Sequence, residues 1–282
     1  MYGTLYLCAT PIGNLSDVSA RLIETLNNAD LIAAEDTRVT IKLLNHFNIK
    51  KPLTSYHEHN KAEKGKYIIS LLKEGKNIVL VSDAGTPAIS DPGEDLVKLC
   101  IENDINITSV PGCVAAINAL ILSGFSTKRF SFEGFLSVNK RHRREHLESL
   151  KNDTHTLIFY EAPHKLVYTL EDMSEFFGKN RKIALARELT KLHEEVIRLT
   201  LGEASEKFRE EKPRGEYVII VEGKQDTDKV QEQYWWSDFT VREHVDEYIK
   251  KGMSSKDAIK AVALDRQTQK REIYNEYHSE KS

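Results

Sequence analysis

The sequence predicts an α/β protein of two α/β domains with a small helical C-terminal extension, and three observations carry the prediction. Apolar strand-like runs alternate with amphipathic helical segments over residues 1–124. A second such series, with more closely spaced strands, runs over residues 125–225. Residues 238–282 then hold three short helical patterns and no strand pattern.

In the first series the strands fall at 5–9, 31–34, 53–56, 78–82 and 107–110. Leu22, Ile23, Leu26 and Ala29 share one helical face, as do Ile68, Leu71 and Leu72, and Gly75 is placed to end the second of these helices. Strand–helix alternation implies a mostly parallel sheet with right-handed crossovers. The segment from Val114 to Leu122 is apolar on nearly every side and is expected to be a central helix. In the second series strands are read at 130–135, 156–160, 183–186, 195–200 and 217–221, with helices at 143–151, 166–177 and 204–211. The last two strands need only short connections, so a mixed sheet is expected. Residues 223–234 are polar and charged and read as a linker. In the extension, Ser254 and Ser255 follow Gly252 as a helix start follows a stop.

The bulk properties narrow the function. The chain has 282 residues, 40% hydrophobic and 29% charged, with a formal net charge of −3. A field that gathers nucleic acid over the whole surface is therefore not expected, and any such binding must use a local basic patch. Cys8, Cys100 and Cys113 lie far apart in apolar surroundings and read as packing residues in a reducing, cytoplasmic compartment. No secretory signal and no membrane-spanning apolar stretch is evident. A dinucleotide fingerprint and a phosphate-cradling Gly-x4-Gly-Lys-Ser/Thr are also missing.

The chemistry collects where strands end. Thr10-Pro11-Ile12-Gly13-Asn14-Leu15 leaves the first strand, and Glu35-Asp36-Thr37-Arg38 the second, where Asp36 or Thr37 can cap a helix. His57-Glu58-His59-Asn60 follows the third; its two histidines lack a third ligand at suitable spacing, so no metal is expected. The densest loop runs from Ser82 through Asp83, Ala84, Gly85, Thr86, Pro87, Ala88, Ile89, Ser90, Asp91 and Pro92 to Gly93. Small and turn-forming residues let backbone approach a ligand, and ligands of parallel sheets bind at such strand ends. Val110-Pro111-Gly112 repeats the arrangement, and small Val114 and Ala115 leave room for a flat ring. Phe159 to Lys165 and Arg187 to Lys191 do the same in the second half, which suggests a cleft between two domains. His142 and His146 lie among Lys140, Arg141, Arg143 and Arg144, a setting that suits phosphate better than a metal.

These motifs, taken in order with Arg214–Glu216, resemble the ribosomal RNA small subunit methyltransferase I family of the tetrapyrrole methylase superfamily, from about residue 4 to 223. The resemblance implies S-adenosylmethionine-dependent 2′-O-methylation of a cytidine in the decoding region of small-subunit ribosomal RNA. It implies a homodimer in which the cofactor lies folded between the two domains. It places cofactor contacts at Pro11, Ala84, Gly85, Thr86, Ile89, Val114, Ala115, Tyr160 and Glu161. Thr86 stands where tetrapyrrole-modifying relatives commonly carry the acid of a Gly-Asp-Pro element. Glu188, Asp36 and Glu58 are candidates to take the ribose proton. Lys165, Arg187 and Lys191 are candidates for phosphate, with the basic segment Lys140, Arg141, Arg143 and Arg144 as the RNA-facing patch; Lys256, Lys260, Lys270 and Arg271 of the extension can add to it. A corrin-precursor methyltransferase of the same fold and a noncatalytic RNA-binding protein with a helix-turn-helix-like tail are the competing readings.

Overall fold

The computed structural model describes residues 1–225, 235–266 and 268–279. Of the linker read from sequence, residues 226–234 lie outside the described residues. The chain divides into two compact units, Met1–Lys224 and Gln225–Ser282.

In the first unit, β1 (Thr4–Cys8), β2 (Leu31–Ala34), β3 (Leu53–Ser55), β4 (Ile78–Val81) and β5 (Asn106–Val110) form a sheet in the order β3-β2-β4-β1-β5, with every pairing parallel. β2 and β4 are buried at every residue, as a strand covered on both faces must be. One face packs on α1 (Ala20–Asn28) and α2 (Thr37–His46), where Leu22, Leu26 and Leu44 meet Ile32, Val79 and Val81. The other packs on α3 (Lys61–Lys73) and α4 (Gly93–Glu102), where Ile68, Leu72 and Leu96 meet Ala33, Ile78 and Leu80. Gly75, at φ +91°, closes α3 as its position implied.

The second sheet, β6 (Phe130–Phe135), β7 (Thr156–Glu161), β8 (Lys182–Arg187), β9 (Glu195–Thr200) and β10 (Tyr217–Val221), has the order β6-β7-β10-β8-β9. Only the β6–β7 pairing is parallel, so the sheet is mixed. Its outer face holds Leu157, Phe159, Leu185 and Ile219 against α6 (Lys140–Leu150), α7 (Leu166–Phe177) and α8 (Leu201–Glu210). Helices α6 and α8 start three residues earlier than their apolar periodicity, because Asn139 and Thr200 cap them through side-chain acceptors.

The opposite face of this sheet is covered by α5 (Ala115–Ser123), the helix that follows the first sheet's last strand. Ala116, Ala119 and Leu120 pack with Ile158, Ala184, Ala186, Val218 and Ile220, and Ile12 from the β1 loop joins them. Arg198 on β9 donates to the carbonyls of Leu122 and Ser123, fastening the end of α5 to this sheet. Burial of α5 is one-sided: Ile117, Ile121 and Leu122 remain exposed.

In the second unit, α9 (Val241–Lys250), α10 (Ser255–Asp265) and α11 (Lys270–Ser279) share a core of Val241, Val245, Ile259, Val262 and Ile273. Ser254 caps α10. Among the described residues no helix is long and apolar enough to cross a membrane.

Candidate active site

All five strands of the parallel sheet point their carboxyl ends at one edge, and the loops there are tied together. The β1 and β4 loops pair through two backbone hydrogen bonds: Thr10 N donates to Gly85 O (2.8 Å), and Gly85 N to Thr10 O (3.1 Å). Thr86 Oγ1 donates to Cys113 O at 3.0 Å, which joins the β4 loop to the β5 loop. Gly85 sits at φ +82°, and a Cβ there would lie 3.3 Å from Ile12 and 3.4 Å from the Cys113 carbonyl, so its left-handed turn and its bare backbone are both needed. Further along, Ala88 (φ +68°) and Ser90 (φ +64°) adopt a conformation that L side chains disfavour. The Asp91 carboxylate holds this strained turn by accepting from Ala88 N (3.0 Å) and Gly93 N (2.7 Å). Burial pushes the Asp91 carboxyl up against the pull of these donors.

The second sheet supplies the facing wall. The Tyr160 hydroxyl accepts from Ala116 N at 3.1 Å, at the start of α5, and its ring packs on Phe132 and Phe135. Burial pushes this phenol up. Pro11, Val114 and Ala115 are half-buried around the same junction, whereas Ala84 and Ile89 are exposed. Glu161, the next residue on β7, turns away, as strand alternation requires. Its buried carboxylate accepts from Ala162 N (2.9 Å) and from Thr169 Oγ1 (2.6 Å) on α7.

The β8–β9 loop meets the β1 loop at Gly13, where a Cβ would overlap the Lys191 side chain and lie 2.9 Å from Thr190 Oγ1. Glu188 (φ +50°) and Thr190 (φ +64°) are again strained. The Glu188 carboxylate accepts from Glu216 N (3.0 Å) and Lys191 Nζ (3.0 Å), which hold its carboxyl below the usual range. Lys191 also reaches Glu216 (2.8 Å). Two buried polar atoms here, Arg187 Nε and Thr190 Oγ1, have no partner within the described chain.

The remaining acids divide by environment. Asp36 caps α2 and pairs with Arg38, whose hydrogen bonds hold its carboxyl down at about 2. Glu58 pairs with Lys61 at an exposed position. The acid that sequence reasoning passed over is Glu35, beside Asp36. Burial and the Asp83 carboxylate push its carboxyl up. The available signal was its place as the first polar residue after a fully apolar strand.

Of the basic patch, Lys140 and Arg141 are exposed, with Arg141 reaching Glu145 along its own helix. Arg143 and Arg144 face inward instead, because the α6 face that packs on α7 meets two acids there. Arg143 Nε donates to Asp172 (2.7 Å), and Arg144 bonds Asp172 (3.1 Å) and Glu175. Lys165 caps α7, and Arg187 reaches Glu195 at 3.4 Å. His57 and His59 stand with ring centres 6.1 Å apart; among the described residues no cluster of three potential ligands surrounds a metal position.

Residues 4–205 match the family of tetrapyrrole (corrin/porphyrin) methylases. The chain is 54% identical to ribosomal RNA small subunit methyltransferase I of Halalkalibacterium halodurans, covering 99% of this chain and 96% of that protein. It is 50% identical to the protein of the same name from Bacillus subtilis, covering 98% and 94%. Among solved structures, uroporphyrin-III C-methyl transferase from Thermus thermophilus complexed with S-adenyl homocysteine shares the fold: TM-score 0.56, 14% identity, 78% of this chain and 97% of that one.

Proposed function

The chain belongs to the tetrapyrrole methylase family and, within it, to the ribosomal RNA small subunit methyltransferase I family, and from that premise we propose that it methylates the 2′-oxygen of a cytidine in the decoding region of small-subunit ribosomal RNA. The observation that carries this reading is near-full-length identity to proteins of that name, joined to a rim of interlocked loops facing an aromatic wall. Its methyl donor is S-adenosylmethionine.

The residues fit that donor. Gly85 lets the β1, β4 and β5 loops interlock at the rim, Tyr160 and Phe132 give an apolar wall, and the unpartnered Thr190 Oγ1 and Arg187 Nε await polar atoms. Pro11, Ala84, Gly85, Thr86, Ile89, Val114, Ala115 and the Tyr160 ring would hold it, with Glu161 contributing backbone alone because its carboxylate is engaged by α7. When bound, the sulfonium supplies a methyl group with a good leaving group already in place. The chain then has to hold the ribose oxygen in line with that carbon, about 3 Å away, and keep competing water out.

Proton removal falls to an acid at the rim. Asp36 and Glu188 accept hydrogen bonds that hold their carboxyls below the usual range, which makes them weak bases, and Glu58 pairs with Lys61 at an exposed position. Glu188 is the one beside the β1 loop. Glu35, whose carboxyl is raised by burial and by the Asp83 carboxylate, is a stronger base than Asp36 or Glu188. Lys140, Arg141, Lys165, Arg187 and Lys191 would contact phosphates and fix register, while the shape of the folded RNA selects the nucleotide. Arg143 and Arg144 would support that surface through Asp172.

We read residues 1–124 and 125–225 as two lobes closing on the donor. The protein would act in the cytoplasm as a homodimer, a reading supported by the exposed apolar face of α5. The test is transfer of tritiated methyl from S-adenosylmethionine to small ribosomal subunits from a strain lacking the protein, followed by mapping of the modified nucleotide. Label at a cytidine 2′-oxygen is expected. Incorporation only into a corrin precursor, or none with the donor unbound, would defeat the proposal.

A further inference from the structure

We propose that the Phe135 ring is the platform on which the nucleobase of the methylated nucleotide stacks; the inference rests on the RNA reading above. It starts from an irregularity in β6. Phe132 pairs with Ile158, but the next register positions are Gly134 with Phe159 and Phe135 with Tyr160, so Glu133 is one residue extra. In a regular strand Phe132 and Phe135 would face opposite sides of the sheet. The bulge puts both on the side of Ile158 and Tyr160, with ring centres 5.0 and 5.5 Å from Tyr160. Glu133 is held by His146 Nε2 (2.9 Å) and Ser131, and Gly134 takes φ +64°.

This re-aimed side chain is not used to fill the core. Phe135 is 55% exposed, although Gly134 before it and Leu136 after it are buried and fix its backbone. It stands at the seam of the site: a Cβ on Gly134 would lie 3.2 Å from Ser90 Oγ of the loop that also carries Ile89. Five and six residues later in the chain come the exposed cations Lys140 and Arg141. An exposed aromatic face supported on a second ring, with exposed cations a few residues further along the chain, suits a single unstacked base with its flanking phosphates. A ribose 2′-oxygen can reach a buried donor only if its base is drawn out of the RNA stack, and a drawn-out base needs a face to stack on.

The test uses the full chain and its Phe135→Ala, Phe135→Leu and Phe135→Trp variants. Methylation kinetics are measured on small ribosomal subunits, with S-adenosylmethionine affinity by calorimetry and oligomeric state by sedimentation. Quenching of an RNA oligonucleotide carrying 2-aminopurine at the target position reports stacking. Phe135→Ala and Phe135→Leu are expected to raise KM for subunits about 10- to 100-fold and to abolish the quenching, while Phe135→Trp keeps both. Donor affinity and oligomeric state should not change. Wild-type KM and quenching in Phe135→Leu would overturn the inference. So would a loss confined to donor affinity, meaning the ring covers the cofactor, or to dimerisation, meaning a second copy covers it. Failure of the wild-type chain to methylate any RNA would instead defeat the functional reading.

Discussion

Replacing Asp91 by alanine removes the acceptor that holds the strained turn of the β4 loop. Two backbone donors, Ala88 N and Gly93 N, lose a carboxylate at 3.0 and 2.7 Å. A hydrogen bond to a charged group contributes about 1.5–3 kcal/mol, and a non-glycine residue in the left-handed region costs about 1–3 kcal/mol unless its surroundings enforce it. Ala88 and Ser90 are two such residues. Relaxation of the turn returns part of their strain, so the expected net loss is about 3 kcal/mol. With a urea slope of about 3 kcal/mol/M, the midpoint should fall by about 1 M. The relaxed loop no longer presents Ala84 to Ile89 in one arrangement, so S-adenosylmethionine affinity should drop more than tenfold. Asp91→Asn keeps an acceptor in place, and burial already disfavours the charge at this site, so it should lose about 1 kcal/mol at most. Urea titration followed by fluorescence, with calorimetric titration of the donor, measures both effects. An Asp91→Ala chain with the wild-type midpoint and donor affinity would refute the view that this carboxylate shapes the loop.

Three further outcomes are expected. Arg143→Ala breaks a pair whose side chains are only 13% and 9% exposed and should cost about 3 kcal/mol, whereas Lys140→Ala should change stability by less than about 0.5 kcal/mol yet reduce the salt slope of RNA binding by about 1; thermal melts and salt-dependent binding separate the two, and the reverse pattern contradicts the placement. In the C-terminal unit, His244 is fully buried among Trp235, Trp236 and Tyr248, with Asp265, Arg266 and Lys251 facing it. Burial lowers its pKa, with Arg266 and Lys251 adding and Asp265 opposing. The unfolded state thus binds the proton more readily, and stability should be lost as pH falls through the ordinary value of 6.5. Tryptophan fluorescence in urea between pH 7.5 and 5 reads this, and an equal slope in His244→Phe argues against it. Burial raises the Cys8 thiol to about 12 and the Cys100 thiol to about 11, so neither should react with a disulfide reagent at pH 8 until the chain is unfolded; rapid labelling of either in the native chain would contradict their packing.

Local pattern in the sequence sufficed for the two alternating series, for caps such as Asp36 and Ser254, and for the polar loops at the strands' carboxyl ends, because periodicity, small-residue turns and capping side chains act over a few residues. The order of motifs along the chain was enough to indicate the family. What the sequence could not carry is direction. Arg143 and Arg144 read as part of a basic surface until Asp172 and Glu175, about thirty residues away, draw them inward. The apolar helix after β5 reads as part of the first lobe, yet its small face packs on the second sheet and Arg198 fastens it there. A single extra residue, Glu133, decides that Phe135 lies on the same face of the sheet as Phe132 and Tyr160. Each of these turns on a partner distant in sequence, and only the folded chain brings such partners together.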